Sequence, residues 1–230
     1  MREPGDLIAS GRDSDIFDYG PGLVLRRSRS GHSMATEART MEYVSAHGYP
    51  VPAVDEISDD GADLVMERID GPSMIDLVGR RPWTMRRHGT MLGELHQQLH
   101  EISAPDWLAD APFGTGGQLL HLDLHPLNVI ISTRGPVVID WPNARRGDGN
   151  SDVALTWVLL AAGGAPVSGV KKALIGIARK VLIRNMLARF DAATVAAQLE
   201  AVVEWKATDK HMSEREITAM RALASRFSSQ

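Results

Sequence analysis

Cysteine is absent from the 230 residues. That excludes disulfides and thiolate chemistry, and it agrees with a cytoplasmic location. The opening MREPGDLIAS has no apolar core, so a secretory leader is not expected. No apolar run reaches the ~18 residues that a membrane helix needs. The stretch 161–170 is interrupted by Gly163, Gly164 and Pro166, and no membrane partner is expected. A strong charge is lacking too: the formal net charge is −4, which suggests no nucleic-acid partner. Internal repeats and low-complexity linkers are also missing.

What is present is a chain that is 43% hydrophobic, enough for one large or two small domains with a real core. Charge is uneven along it. Residues 161–230 hold eleven Lys/Arg against six Asp/Glu, a balance of +5, which leaves −9 for the first 160. A solvated helical surface is the ordinary reason for such a bias.

The residues that carry chemistry concentrate in HLDLHPLNVIISTRGPVVIDW, residues 121–141. Val129–Ser132 and Val137–Ile139 are β-branched runs around the turn signal Thr133-Arg134-Gly135-Pro136. They read as two buried strands of a hairpin. Asp123 and Asn128 precede the first strand and Asp140 ends the second. Two carboxylates and an amide oxygen thus come to one end of the hairpin, a donor set that suits Mg²⁺. Two other readings of these residues stand beside this one. A lone Asp near a strand end is usually a cap or turn residue. His121, Asp123 and His125 also spell HxDxH, a pattern of metal hydrolases in which the histidines bind zinc.

Upstream, Leu7–Ala9, Ile16–Tyr19, Leu23–Arg27, Val54–Ser58 and Asp63–Glu67 read as strands. Between the first two lies the polar loop Ser10–Asp15, which is poor in glycine. Ser33–His47 reads as a helix with the apolar stripe Met34, Ala38, Met41 and Val44, stopped by Gly48 and Pro50. Beyond Gly71-Pro72 the pattern turns helical. Ser73 caps a short helix to Val78, and Trp83–Ile102 is a longer one with Met91, Leu92, Leu95, Leu99 and Ile102 on one face. His96 and His100 lie i, i+4 on it and could bind a metal, but no acid shares the H-E-x-x-H spacing. Residues 104–117 are a Pro/Gly-rich connection and 141–150 a polar loop. Helices are then expected over 152–162, 170–190, 192–207 and 213–227.

The string 121–141 resembles the catalytic loop of the aminoglycoside phosphotransferase family, a branch of the protein-kinase-like superfamily with the pattern H-x-D-x-H-x-x-N followed by I-D-W/F. The resemblance covers most of residues 7–160. It implies an α+β, two-lobed protein-kinase-like fold. Residues 1–70 would form a small nucleotide-binding lobe, an antiparallel sheet with one helix. Residues 71–230 would form a larger, mainly helical catalytic and acceptor-binding lobe.

It also implies ATP, with GTP possible, and Mg²⁺ as cofactors. Asp123 would be the catalytic base, and Asn128 and Asp140 the metal ligands. His125 would touch the transferred phosphate. Ser14 would reach the nucleotide phosphates. Arg26, where the family has Lys, would anchor them in a pair with Glu37. Met66 would stand beside the base, whose edge would bond to the backbone of Glu67 and Ile69. Leu122 replaces the Arg of the kinase H-R-D, His100 becomes a packing residue, and Asp152 holds its loop by hydrogen bonds.

The function so implied is transfer of the γ-phosphate to a hydroxyl of a small molecule. The +5 balance of 161–230 points to a neutral or anionic acceptor and away from a polycationic aminoglycoside. The alternatives are a non-catalytic nucleotide-binding module, motivated by Arg26 and the glycine-poor loop, and the HxDxH hydrolase.

Overall fold

A computed structural model of the chain describes residues 1–163, 169–210 and 212–227. Gly164 and Pro166, two of the breaks noted above, lie outside the described residues. The architecture is α+β, as expected. By internal contact the chain forms two compact units, Met1–Pro72 with Val129–Ala144, and Ser73–Asn128 with Arg145–Gln230.

The first unit is built on a five-stranded antiparallel sheet of order β1-β2-β3-β5-β4. Its strands are β1 (Leu7–Ser10), β2 (Ser14–Asp18), β3 (Leu23–Ser28), β4 (Val54–Ile57) and β5 (Asp63–Glu67). The one helix, α1 (Ala35–Ala46), buries Ala38, Met41 and Val44, as the apolar stripe requires. The hairpin β7 (Val129–Ser132) and β8 (Gly135–Val138) belongs to this unit. Two backbone bonds hold it there, Ile131 N–H to the Pro72 carbonyl (2.9 Å) and Val138 N–H to the Pro50 carbonyl (2.8 Å). β8 stops at Val138, short of the strand end expected at Asp140. Asp140 takes φ 70°, a left-handed conformation that cannot continue a strand.

The second unit is mainly helical. It contains α2 (Met74–Arg80), a single 3₁₀ turn at Pro82–Thr84, α3 (Met85–His100) and α4 (Gly149–Ala162), then α5 (Gly169–Leu187), α6 (Ala192–Ala196), α7 (Leu199–Lys206) and α8 (Glu214–Ala224). Ser73 caps α2 by accepting the Asp76 N–H at 3.2 Å. α4 is the hub: Val153, Ala154, Leu155 and Val158 are all fully buried, as in a helix surrounded by others. It starts at Gly149, ahead of the expected Asp152, because Asp148 caps it by accepting the Asn150 N–H at 2.9 Å.

Two short strands escape the sequence pattern. β6 (Gln118–Leu120), just past the stretch read above as connection, pairs antiparallel with β9 (Arg145–Gly147), inside the stretch read as loop. Three residues are too few to show a period of two. The helix expected over 192–207 is split at Ala197–Gln198. Neither Gly nor Pro marks the break, but Gln198 accepts the Ser151 hydroxyl (3.2 Å) and reaches Asp148 (3.3 Å) there. Among the described residues no helix is long and apolar enough to cross a membrane.

α3 packs tightly on α5 through Gly89 and Gly93, one turn apart. A Cβ at Gly89 would stand 2.5 Å from the Leu182 carbonyl oxygen, which is backbone and cannot step aside. Gly89→Ala is expected to destabilise the protein by about 1–3 kcal/mol, read as a lowered denaturant midpoint. An unchanged midpoint would show that α5 does not pack here.

Candidate active site

In the first unit, Arg26 on β3 is the centre. Its Nε donates to Ser14 Oγ (2.9 Å), Nη1 to Glu37 Oε1 (2.6 Å) and Nη2 to Asp140 Oδ1 (3.2 Å). The planar fork of a guanidinium makes this possible, since it aims separate donors in separate directions. Glu37 is buried on α1 and also accepts the Trp141 N–H at 3.1 Å. One carboxylate thus ties helix, strand and the segment after the hairpin together. Burial pushes the Glu37 carboxyl up, and the Arg26 charge opposes that shift. Trp141 is fully buried, with its indole N–H on the Val138 carbonyl (3.1 Å) and its ring edge-on to Tyr49. Arg27, on the opposite face of the strand, pairs with Asp63 instead (2.7 and 2.6 Å).

Met66 and Glu67 lie at the end of β5 and Ile69 just beyond it, all three half-buried. The Glu67 N–H is spent in the sheet, on the Ala53 carbonyl (2.8 Å). Its carboxylate accepts the Ala53 N–H (3.1 Å) and Arg134 Nη2 (2.8 Å).

In the second unit, Asp123 is held at both carboxylate oxygens. Asn128 Nδ2 donates to Oδ2 at 3.1 Å and to the Asp123 carbonyl at 2.9 Å. His125 Nε2 stands 3.4 Å from Oδ1. The tautomer follows from the backbone: His125 Nδ1 accepts the Leu127 N–H (3.3 Å), so the proton sits on Nε2 and faces Asp123. With its amide nitrogen committed to Asp123, Asn128 has Oδ1 as its ligating atom. Asp123 and His125 are both partly open, at 19% and 20%.

Asp152 on α4 anchors the loop before Asp123, where the resemblance had it hold the loop that precedes that helix. This buried carboxylate accepts the N–H groups of His121 (3.0 Å) and Leu122 (2.8 Å) and the His100 Nε2–H (3.1 Å). His100 therefore does more than pack. Burial alone would raise the Asp152 carboxyl, but the donors around it outweigh burial and hold it well below its ordinary range. Leu122, fully buried, takes φ 57°. Leu122 and Asp140 are the non-glycine residues of positive φ among the described residues, and both adjoin the candidate machinery. Such conformations cost about 1–3 kcal/mol and persist only where surroundings enforce them.

The buttress of His96, His100, Thr156 and Asp152 was mostly missed by motif reading, because its members lie 52 or more residues apart between helices. Among the described residues, the set of three close enough to share an ion is His96, His100 and Asp152. His121, Asp123 and His125 do not form such a set, and His121 is fully buried.

A five-stranded antiparallel sheet with one helix, a strand cation paired to that helix, and a mainly helical unit bearing D-x-H-x-x-N are the parts of a protein-kinase-like fold. Residues 105–180 match the model of the phosphotransferase enzyme family, APH. That match spans about a third of the chain, and it agrees with the fold. No curated protein matches the sequence. Solved structures of similar fold include a choline/ethanolamine kinase family protein from Mesorhizobium loti, at 15% identity over 98% of this chain and 90% of that one, TM-score 0.64. An aminoglycoside-3'-phosphotransferase of type VIII follows at 19% identity, 96% and 91% coverage, TM-score 0.57. The streptomycin–ATP ternary complex of APH(2")-IIa shows 15% identity, 97% and 94% coverage, TM-score 0.59. At such identities the likeness is one of fold.

Removing the anchor should loosen the loop it holds. Asp152→Ala is expected to cost roughly 3–5 kcal/mol, the range for breaking a buried charged network, and to speed hydrogen exchange at the His121 and Leu122 amides. Protection of those amides at the wild-type level would contradict the anchoring role.

Proposed function

We propose that the protein is an ATP- and Mg²⁺-dependent phosphotransferase that moves the γ-phosphoryl group to a hydroxyl of a small molecule. The observation that carries this reading is the constraint on Asp123. Its carboxylate is oriented at one oxygen by Asn128 and approached at the other by His125, while the side chain stays accessible. That is what positioning and deprotonating an acceptor hydroxyl requires. His125, with its proton on Nε2, would donate to the transferred phosphate.

Asn128 Oδ1 and the Asp140 carboxylate are hard oxygen donors that fit Mg²⁺. An ion held by these two residues would neutralise the nucleotide phosphates. Arg26 would anchor those phosphates, held in place by Glu37. The Ser14 hydroxyl accepts from Arg26 and so keeps its own proton to donate to a phosphate oxygen. Met66, Glu67 and Ile69 would line the base, with ATP as the nucleotide and GTP as a further candidate. On this reading residues 1–70 serve the nucleotide and residues 71–230 supply catalysis and the acceptor site. Rate comes from positioning and electrostatics, since a loose phosphoryl-transfer transition state needs little covalent help.

Asp123→Ala is expected to lower phosphoryl transfer by about 10²–10⁴-fold while nucleotide affinity, read by calorimetry, stays nearly unchanged. Asp140→Ala is expected to remove the Mg²⁺ dependence of that affinity. Wild-type turnover in the first variant would falsify the base assignment. A second reading, a nucleotide-binding module without turnover, is favoured by the Arg26–Asp140 pair, which occupies a metal ligand with a protein cation. Thermal stabilisation by Mg-ATP with no ADP release across an acceptor library would favour it.

The acceptor is inferred from charge. Of the acids in 161–230 that could meet a polycation, Glu204 already holds Arg221 (2.8 and 2.7 Å) and Asp209 holds Lys206 (2.9 Å). A neutral or anionic hydroxyl compound is therefore the expected acceptor. In a library screen read by ADP release, aminoglycosides should rank below uncharged polyols. Resistance to kanamycin conferred on a sensitive host would reverse this order.

A further inference from the structure

The histidine pair on α3 is left over by the phosphotransferase reading. His96 and His100 sit one turn apart, the usual spacing for two imidazoles on one metal. The sequence offered no acid at the spacing of a helical zinc motif. The structure supplies one from α4: Asp152 Oδ2 lies 3.1 Å from His100 Nε2 and 3.6 Å from His96 Nδ1. The three ligand atoms all fall within 4.8 Å of one another. Ligands on a tetrahedral zinc stand about 3.3 Å apart, as bond lengths of 2.0–2.1 Å dictate.

The protonation pattern makes the cluster unusual. Thr156 Oγ1 donates to the Leu124 carbonyl (2.8 Å), so its one proton is spent. It must then accept from His96 Nε2 (3.1 Å), which puts the His96 proton on Nε2. Nδ1 is left as a bare lone pair, fully buried, with no hydrogen-bond partner, facing a carboxylate oxygen. His96 Nδ1 and Asp152 Oδ2 thus face each other at 3.6 Å, while Oδ2 also accepts the His121 N–H and the His100 Nε2–H. A cation held by Nδ1 and Oδ2 would satisfy both.

We propose that His96 Nδ1, His100 Nε2 and Asp152 Oδ2 bind a divalent transition metal, zinc by the character of the donors, the ion replacing the His100 Nε2 proton that Asp152 accepts in its absence while His100 keeps a proton on Nδ1. Two imidazoles and a carboxylate suit zinc, whereas Mg²⁺ prefers oxygen alone. Thr156 is the outer partner that fixes the ligating tautomer of His96, a part that metal-bound histidines nearly always have. An open pocket of about 260 Å³ lined by Gln97, His100, Glu101, Gln118, Gly149 and Phe190 reaches the His100 side of the site. The role is structural. Asp152 keeps the His121 and Leu122 amides on its oxygens while it ligates, so the ion stiffens the base of the loop that carries Asp123. The residues are separate from those that would hold Mg²⁺.

The test uses the full chain, stripped with a chelator and titrated with Co²⁺ and then Zn²⁺. One equivalent of Co²⁺ should bind with the visible absorption of a tetrahedral site, and Zn²⁺ should displace it. Zinc should raise the melting temperature and slow exchange of the His121 and Leu122 amides. Thr156→Val should weaken Co²⁺ binding about 10–100-fold, and His100→Gln, which keeps a polar group of similar reach, should abolish the absorption. His96→Ala empties a buried space and risks misfolding, so His100→Gln carries the decision. Absence of saturable Co²⁺ binding, an unchanged spectrum in His100→Gln, or loss of binding in Asp123→Ala would each overturn the proposal. Loss in Asp123→Ala would put the ion at the loop itself.

Discussion

A single buried carboxylate, that of Asp152, is the constraint on which the second unit depends. A charge in that position is tolerable only because backbone N–H groups and an imidazole surround it. In return it fixes two consecutive amides of a loop and makes Leu122 accept a left-handed backbone that its side chain does not favour. The turn so imposed sets the direction in which the chain leaves toward Asp123. The catalytic candidate inherits its orientation from a residue 29 positions later in the sequence. Helix α4, buried on nearly every side, brings Asp152 to that place, and the close α3–α5 contact at Gly89 and Gly93 fixes the helix from which His96 and His100 reach it.

How legible this was differs by kind of interaction. The strands of the first unit showed in the sequence because each has apolar residues bounded by Gly or polar turns. The α1 stripe and its Gly48 stop were plain for the same reason. The Arg26–Glu37 pair was legible only through the family resemblance, since no local rule joins a strand cation to a helix acid 11 residues away. The β6–β9 pair and the break before α7 were not legible, because both are decided by tertiary hydrogen bonds. The Gln118 side chain accepts the Gly149 N–H (2.8 Å), and the Gln198 side chain bridges to Asp148. The acid that completes the His96–His100 cluster was invisible for a similar reason: it arrives on another helix.

The choice of the proposed acceptor falls to side chains outside the fold's shared core. Proteins of this fold act on differing small molecules, and a shared scaffold leaves that choice to side chains outside the catalytic string. The pairing of Glu204 and Asp209 with neighbouring cations is informative here because it removes acids from availability without altering net charge. Surface ion pairs of this sort contribute little stability. Their larger effect is on the electrostatic potential that an arriving substrate meets.

Arg26 has a consequence for how this chain can change over time. A guanidinium carries five N–H donors, and three protein partners take one each here. An ammonium carries three. The point charge of a lysine at this position could not reach Ser14, Glu37 and Asp140 at once. The Ser14 hydroxyl and the guanidinium therefore form one inherited unit. A variant with lysine at position 26 would give up the bond to Ser14, and position 14 would then be open to any small residue that the β2 start will hold.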